Sequence, residues 1–266
     1  MPVMTASADH YAAAAPGWAG GASLVYRPLA GELVRRAPHP LRGRRVLDVG
    51  AGTGVGSHAL LQVGAHPVAV DLSLNMLRWQ RTTRPPAVVG ELTRLPLREG
   101  AVDDVFGAFV LNHLAEPVTG LAELARVTAA GGGVLASVYS TASDNSVRDL
   151  VDELAAAQGF VAPDWYVALK ARANAQLGTP DAVTVAAQRA GLLDVVVHEQ
   201  AVDVGIHTAE DLVDYRFGQA QFAGWLAGLP PARRAQVRDA VIERIEPVMA
   251  PFTPTVLFLT ARVPHG

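Results

Sequence analysis

A glycine-rich turn directly after a short apolar segment is the feature that most constrains the fold of this chain. Residues 46–49 are typical of a buried strand, and Gly50, Gly52 and Gly54 follow them before a predicted helix at residues 55–61. A strand that turns straight into a helix leaves backbone N–H groups free above the strand end. Glycine removes the Cβ atoms that would block a ligand there and permits a positive φ. The pattern predicts a nucleoside-cofactor loop in an α/β fold.

Two better-known glycine loops fit this segment less well. The dinucleotide fingerprint is G-x-G-x-x-G or G-x-G-x-x-A. Frames that start at Gly50 or Gly52 end on neither glycine nor alanine, and the frame from Gly54 begins too far beyond the strand. A phosphate-binding P-loop needs G-K-[ST], whereas the only lysine of the chain is Lys170. Asp48 also suits a cationic or hydroxyl-rich ligand better than a pyrophosphate.

A second acidic residue narrows the class of cofactor. The short apolar segment at residues 67–70 leads into Asp71, which follows the glycine loop at a spacing of about twenty residues. At that spacing a carboxylate meets ribose hydroxyls in doubly wound folds. Ser73 is then positioned to cap a helix that carries Met76.

From residue 40 to residue 140 the chain resembles the class I S-adenosylmethionine (SAM)-dependent methyltransferases. Residues 46–54 match the first motif of that family, and Asp71 matches the acidic residue that holds the SAM ribose. Residues 88–97 resemble the third segment, usually written G-D-A-x-x-L-P-F. Glu91 stands where Asp is commoner, and it keeps a hydrogen-bond acceptor for the adenine amine.

Two further segments extend the resemblance. Residues 102–114 resemble the fourth strand, which in many members ends L-H-H, and here ends with Asn112 and His113. Residues 129–139 resemble the turn and fifth strand. Beyond them the sequence predicts helices at 147–158 and 180–190, a strand at 192–202, inserted helices over 208–250, and a last strand at 256–263.

The resemblance implies a doubly wound, Rossmann-like α/β sheet of seven mostly parallel strands whose last strand is antiparallel. It also implies SAM as cofactor and S-adenosylhomocysteine as product. The expected units are a helical lid at 1–40, a SAM-binding core at 41–205, a helical insertion at 206–252, and the last strand and tail at 253–266. The expected cofactor-binding residues are Asp48, Gly50, Ala51, Gly52, Asp71, Leu72, Met76, Glu91, Leu92, Leu111, Asn112, Tyr11, Tyr26 and Arg27.

His113 and Tyr139 are the predicted catalytic residues, because each follows a strand close to the expected position of the methyl group. An imidazole titrates near neutral pH, so His113 is a candidate general base. The alternative is that His113 packs against the methionine part of SAM and moves no proton. Asn112 takes the place of the first histidine of the commoner pair, and a base at that position is missing.

Two groups of aromatic residues admit two interpretations each. Trp18 and Tyr26 either close a lid over the ligand sites or pack against the sheet. Aromatic and apolar residues of the insertion either wall a substrate pocket or form a small core, and helical spacing favours the core for most of them. These residues are Phe217, Phe222, Trp225, Met249 and Phe252.

Composition limits the function classes. The chain has 266 residues, no cysteine and a formal net charge of −3, so neither thiolate chemistry nor a general attraction to nucleic acid is expected. No apolar segment or leader pattern predicts a membrane span or secretion, which favours a cytoplasmic enzyme. No metal site is expected, since Asn112 replaces the acidic partner that Asp144 and Asn145 would need.

The sequence therefore predicts a SAM-dependent methyltransferase that modifies an O, N or C nucleophile of a small, partly apolar molecule, such as a secondary metabolite or quinone-like compound. A monomer or homodimer that binds neither nucleic acid nor membrane is expected. Two alternatives stay open. One is a SAM-binding cyclase, lyase or pericyclase on the same fold, since fold does not fix chemistry. The other is a non-catalytic partner subunit.

Overall fold

The fold is a seven-stranded sheet with helices on both faces. The computed structural model describes residue 11, residues 14–143 and residues 146–265. Within these residues the strands are β1 (Arg45–Val49), β2 (His66–Asp71), β3 (Ala87–Val89), β4 (Asp104–Ala108), β5 (Gly133–Tyr139), β6 (Leu193–Ala201) and β7 (Thr255–Arg262). Their order is β3-β2-β1-β4-β5-β7-β6, and β7 is antiparallel to both of its neighbours. The other pairs are parallel, so the predicted fold is confirmed.

The helices connect and flank the strands. They are α1 (Ser23–Arg35), α2 (Val55–Gln62), α3 (Leu74–Arg78), α4 (Pro117–Val127), α5 (Ser146–Ala157), α6 (Asp164–Leu177), α7 (Pro180–Arg189), α8 (Ala209–Phe217), α9 (Ala220–Gly228) and α10 (Pro231–Ile245). A π-helical turn, Trp18–Ala22, leads into α1. Within the described residues no helix combines the length and apolar character that spanning a bilayer requires.

Capping side chains fix where several helices begin. The Ser73 hydroxyl accepts a hydrogen bond from Met76 N at 3.4 Å, and the Thr208 hydroxyl accepts one from Asp211 N at 3.1 Å. Such caps satisfy N–H groups that have no partner within the helix, and each typically stabilises by about 1 kcal/mol. The predicted starts of α3 and of the inserted helices are therefore confirmed.

Apolar side chains cover both faces of the sheet, which is why its central strands are almost wholly apolar. Strand β7 shows the division: Phe258 packs into one core cluster, while Leu257 and Leu259 pack into the other. The insertion contributes Phe217, Phe222 and Phe252 to the first cluster, with Trp225 and Met249 packed against it. The prediction that most of these five residues form core is therefore confirmed.

Helix α6 was not predicted from the sequence. Much of the surface of α6 is exposed, and Leu177 is its one fully buried residue. The helix therefore needs no apolar face, and its polar and apolar residues are mixed around it. A helix without a continuous apolar stripe leaves little periodic signal. Helix α6 nevertheless packs against the turn Leu111–His113 and thereby closes one side of the site.

The strand order places a crevice at the centre of the sheet. From β1 the chain first winds to β2 and β3 on one side, and later returns to β4 and β5 on the other. Ligands of open α/β sheets bind at such a reversal, outside the carboxyl ends of the strands.

Candidate active site

A large cavity of about 930 Å³ lies over the carboxyl ends of β1, β2, β4 and β5. This volume is near the upper end of the range for small-molecule sites, roughly 300–1,000 Å³. It is large enough for a nucleoside-sized cofactor together with a second small molecule.

The glycine loop forms one wall of the cavity. Gly50 N and Ala51 N both donate to the carbonyl of Val70, at 2.8 and 3.1 Å, and so tie the loop to β2. Gly52 has a φ of +52°, and a Cβ built on it would meet nothing closer than 4.0 Å, where the Trp18 indole nitrogen lies. A side chain at Gly52 would therefore occupy the space between the loop and Trp18.

Asp71 joins the loop to the end of β2. One carboxylate oxygen accepts a hydrogen bond from Gly52 N at 2.8 Å, and the other accepts one from Ser73 N at 2.7 Å. Burial raises the pKa of the Asp71 carboxyl, and these two N–H groups oppose the rise. Each oxygen retains lone-pair capacity for a further donor. Asp71 can therefore hold the loop and still accept hydrogen bonds from a diol in the cavity.

Asp48 lies beneath the loop with 2% of its surface exposed. It accepts a hydrogen bond from the Ser57 hydroxyl at 2.6 Å. Burial raises the pKa of Asp48 to about 6, and the Ser57 hydrogen bonds and the Arg84 guanidinium oppose that rise.

Arg84 also holds the glycine loop in place, although no sequence motif points to it. Its guanidinium donates to the carbonyls of Leu77 at 2.8 Å, Met76 at 3.1 Å and Gly52 at 3.4 Å. It thus ties α3 to the glycine loop and supplies positive charge near Asp71. Arg84 belongs to no recognisable motif, and only the folded chain brings it to the loop.

Most of the predicted cofactor-binding residues meet at this cavity. Those that line it are Tyr11, Tyr26, Asp48, Gly50, Ala51, Gly52, Asp71, Leu72, Met76, Glu91, Leu92 and Asn112, together with the catalytic candidates His113 and Tyr139. The Glu91 carboxylate accepts a hydrogen bond from the Thr93 hydroxyl.

Arg27 and Leu111 are not among the lining residues. Arg27 is exposed on α1, because a helix turns successive side chains about 100° apart and Tyr26 takes the inward direction. Leu111 is buried in the apolar core beneath the turn, at 1% exposure. The placement of these two residues at the cofactor site is not supported by the structure.

Asn112 and His113 present buried polar atoms to the cavity. Asn112 Oδ1 and His113 Nδ1 have no hydrogen-bond partner among the described residues. Burial lowers the pKa of His113 to about 4, and the positive charge of Arg172 adds to the effect. The imidazole is therefore neutral at neutral pH. Buried polar atoms are normally paired, so these two indicate a ligand that supplies the partner.

Aromatic rings form the opposite wall. Trp18 stacks on Tyr26 with ring centroids 5.0 Å apart, and Phe109 lies 5.1 Å from Tyr26 and 4.7 Å from Tyr139. Tyr11 meets the His113 ring edge-on at 5.5 Å. Trp18 and Tyr26 thus line the cavity and also pack against other rings. Phe109 has a φ of +55°, a strained conformation of the kind that clusters at functional sites.

A buried arginine, which no sequence motif indicates, supports the far end of the cavity. Arg216, with 2% of its surface exposed, donates to both carboxylate oxygens of Asp152 at 2.6 Å and to the Tyr166 hydroxyl at 3.2 Å. It also donates to the side-chain oxygen of Gln219. Arg216 lies on α8, and its partners lie on α5, on α6 and directly before α9.

Within the described residues no three histidine, aspartate or glutamate side chains gather in a way that could hold a metal ion. Asp144 and Asn145, which would need an acidic partner at position 112 to bind a metal, lie outside the described residues.

Comparison with known proteins agrees with the resemblance read from the motifs. Residues 47–136 match the family model described as methyltransferase domain. A demethylmenaquinone methyltransferase of Mycobacterium sp. (strain KMS) is 40% identical over 111 residues, which are 42% of this chain and 48% of that protein. This chain thus spans about half the length of the curated relatives it matches. The match confirms the predicted resemblance to class I methyltransferases.

Solved structures share the fold at low sequence identity. A protein from an antibiotic biosynthesis pathway of Anabaena variabilis aligns with a TM-score of 0.61 at 15% identity, covering 90% of this chain and 99% of that one. Phosphoethanolamine N-methyltransferase 2 of Haemonchus contortus, in complex with phosphomonomethylethanolamine and S-adenosylhomocysteine, aligns with a TM-score of 0.56 at 17% identity. That alignment covers 89% of this chain and 52% of the other.

Proposed function

We propose that this chain, which carries a class I methyltransferase domain, binds SAM in the central cavity and transfers its methyl group to a small, partly apolar molecule. The nucleophile is an oxygen, nitrogen or carbon atom of that molecule. Support comes from the domain match at residues 47–136 and from relatives named demethylmenaquinone methyltransferase, whose name points to a quinone-like substrate. The proposal includes a cytoplasmic monomer or homodimer that acts without nucleic acid or membrane.

The residues around the glycine loop fit an adenosyl cofactor. Asp71 would accept hydrogen bonds from the ribose hydroxyls, because both of its oxygens keep lone-pair capacity. Glu91 and Leu92 would flank the adenine, and Asn112 Oδ1 offers a buried acceptor that lacks a partner. Asp71 is the observation that carries the proposal, since its bond to Gly52 N fixes the loop and the ribose site together.

The chain's contribution to the reaction is mainly positioning. Bound SAM supplies a methyl group already activated by the sulfonium, and in-line attack on that carbon breaks its bond to sulfur. Holding two reactants at attack distance can lower a barrier by about 7–11 kcal/mol in well-oriented models. Aromatic rings such as Trp18, Tyr26 and Phe109 exclude water and restrict where a flat substrate can lie.

His113 and Tyr139 have different proposed roles. His113 is neutral at neutral pH, so it can accept a hydrogen bond, or a proton, from the attacking nucleophile. Burial raises the pKa of Tyr139 well above its usual value, so the phenol keeps its proton and serves as a hydrogen-bond donor. Of the two, His113 is therefore the proposed base, and Tyr139 orients the substrate.

Product analysis tests this function. The purified protein would be incubated with SAM and a panel of quinols, phenols and amines, and the nucleoside products identified by mass spectrometry. We expect S-adenosylhomocysteine whose formation depends on one of these substrates. Methylthioadenosine instead would show that the aminobutyryl group cyclises, and would favour the cyclase alternative.

A further inference from the structure

Three tyrosine hydroxyls meet at the far end of the cavity, on side chains from three distant segments. Tyr26 lies on α1, Tyr139 at the end of β5 and Tyr215 on α8, and all three line the cavity. The hydroxyls of Tyr139 and Tyr215 are 3.5 Å apart, and those of Tyr26 and Tyr215 both accept hydrogen bonds from the Gln219 amide. We call these residues the phenol cluster.

Gln219 determines the direction of the hydrogen bonds in the cluster. Its side-chain oxygen accepts from Arg216 and, at 3.0 Å, from Gln221 Nε2, so the orientation of the amide is fixed. The amide nitrogen therefore faces the phenol cluster, and it donates to the hydroxyls of Tyr26 at 3.4 Å and Tyr215 at 3.2 Å. Both tyrosine oxygens act as acceptors toward Gln219, and their own hydrogens must point elsewhere.

A count of hydrogens leaves a donor facing the cavity. Three phenols carry three hydroxyl hydrogens, and the contact between Tyr139 and Tyr215 uses one of them. Among the described residues no other acceptor receives a hydrogen from these hydroxyls. At least one O–H is therefore available to a ligand. Burial raises the pKa values of Tyr26 and Tyr139 well above the usual value for a phenol, so both keep their protons at neutral pH.

The strand order separates the Tyr139 end of the cluster from the glycine loop, whereas Tyr26 stacks on Trp18, which lies beside Gly52. Tyr139 ends β5, which lies two strands from β1 in the order β1-β4-β5. Neighbouring strands are about 4.8 Å apart, so the end of β5 is about 10 Å from the glycine loop across the sheet. His113, which follows β4, lies between them. A substrate placed between His113 and the phenol cluster would lie in the cavity next to the proposed base.

We propose that the phenol cluster, oriented by Gln219 and Arg216, binds a carbonyl oxygen of the methyl-receiving substrate. This inference rests on the proposed function and adds a requirement: the substrate carries a hydrogen-bond-accepting oxygen at the end that enters the cavity deepest. A substrate without that oxygen would leave a buried O–H unpaired, which costs binding.

The test compares two probes of almost identical shape, 1-tetralone, which has a ring carbonyl, and tetralin, which lacks it. Their binding to the protein saturated with S-adenosylhomocysteine would be measured by calorimetry. We expect 1-tetralone to bind at least about tenfold more tightly, the effect of about one buried hydrogen bond. Equal binding, or no binding of 1-tetralone, overturns the inference.

Gln219→Glu sharpens the test. The carboxylate keeps the size of the amide and pairs with Arg216, but it only accepts hydrogen bonds, so it draws the hydrogens of Tyr26 and Tyr215 away from the cavity. We expect the preference for 1-tetralone to fall to about one, with S-adenosylhomocysteine affinity unchanged. Asn174→Asp is the matched control, because it makes the same charge change on the cavity wall outside the cluster.

The outcomes separate this inference from the proposed function. If the wild-type protein binds no S-adenosylhomocysteine, the proposed function fails. If it binds S-adenosylhomocysteine but Gln219→Glu keeps the preference for 1-tetralone, only the role of the phenol cluster fails. A loss of S-adenosylhomocysteine affinity in Gln219→Glu would assign the cluster to the cofactor and would also overturn the inference.

Discussion

The two halves of the cavity are built in different ways. The half around the glycine loop comes from one stretch of chain, residues 48–92, and its contacts are largely to backbone N–H and carbonyl groups. The half around the phenol cluster joins side chains from α1, β5, α5 and α8, and its contacts are between side chains. A site made of local backbone is visible in a sequence, whereas one made of distant side chains is not.

The two halves also differ in how they recognise a ligand, one through backbone groups and the other through side chains. Backbone groups positioned by a turn recognise the same ligand wherever that turn occurs. Side-chain networks depend on each partner, and they lose their orientation when one partner is removed. We therefore expect substitutions in the two halves to have separable effects on cofactor binding and on the stability of the network.

The largest expected effect is a loss of stability in the half around the phenol cluster, where Arg216 is buried. Arg216→Met should lower the free energy of unfolding by about 3 kcal/mol, because it leaves the Asp152 carboxylate without its buried partner. Arg238→Met, which removes a partly exposed arginine paired with the more exposed Asp214 and Glu210, should cost about 1 kcal/mol or less. Urea unfolding would measure both. Equal losses would show that the buried network contributes no more than a surface pair.

The next largest effect is a loss of cofactor affinity, and it tests the half around the glycine loop. Gly52→Val should weaken S-adenosylhomocysteine binding by about hundredfold, because the side chain would fill cavity space and strain a positive φ. Gly43→Val imposes similar strain, at a φ of +74°, where no atom lies within 4 Å of the added Cβ. Titration calorimetry on both variants would separate the effect of backbone strain from the effect of filling the cavity. A similar loss in Gly43→Val would show that strain alone is responsible.

The third effect concerns His113, which lies between the halves. Its pKa is about 4 in the folded chain and 6.5 in the unfolded chain, so below pH 6.5 protons bind preferentially to the unfolded chain. Stability is therefore lost as pH falls. Between pH 7.5 and 5.0 the wild type should lose about 2 kcal/mol more than His113→Gln. Denaturant titrations at both pH values measure this difference, and parallel losses would contradict the burial of a neutral imidazole.

The smallest expected effect concerns Asp71, a single side chain in the half around the glycine loop. Asp71→Asn should weaken S-adenosylhomocysteine binding by about tenfold, because hydrogen bonds to a charged carboxylate are stronger than those to an amide. Asp149→Asn, also on the cavity wall, should leave the affinity unchanged. If Asp71→Asn binds as tightly as the wild type, Asp71 does not hold the ribose.

The sequence predicts the sheet, its antiparallel last strand and most of the residues that line the half around the glycine loop. Glycine spacing and carboxylates at strand ends are local signals, which is why these features can be predicted. The sequence does not predict α6, whose residues show no apolar stripe, or Arg84, which reaches the glycine loop from outside any motif. Arg27 is expected at the site as part of the N-terminal lid segment, but helix geometry directs it outward. Sequence alone could not reveal the Arg216 network, since its partners meet only after folding.

The central claim is that the cavity binds the adenosyl cofactor. Calorimetric titration of the purified protein with SAM and with S-adenosylhomocysteine, alongside NAD as a control, tests it most directly. We predict micromolar binding of both sulfur nucleotides and no heat of binding with NAD. Folded, ligand-free protein that binds neither sulfur nucleotide would contradict the claim and favour a non-catalytic role for the chain.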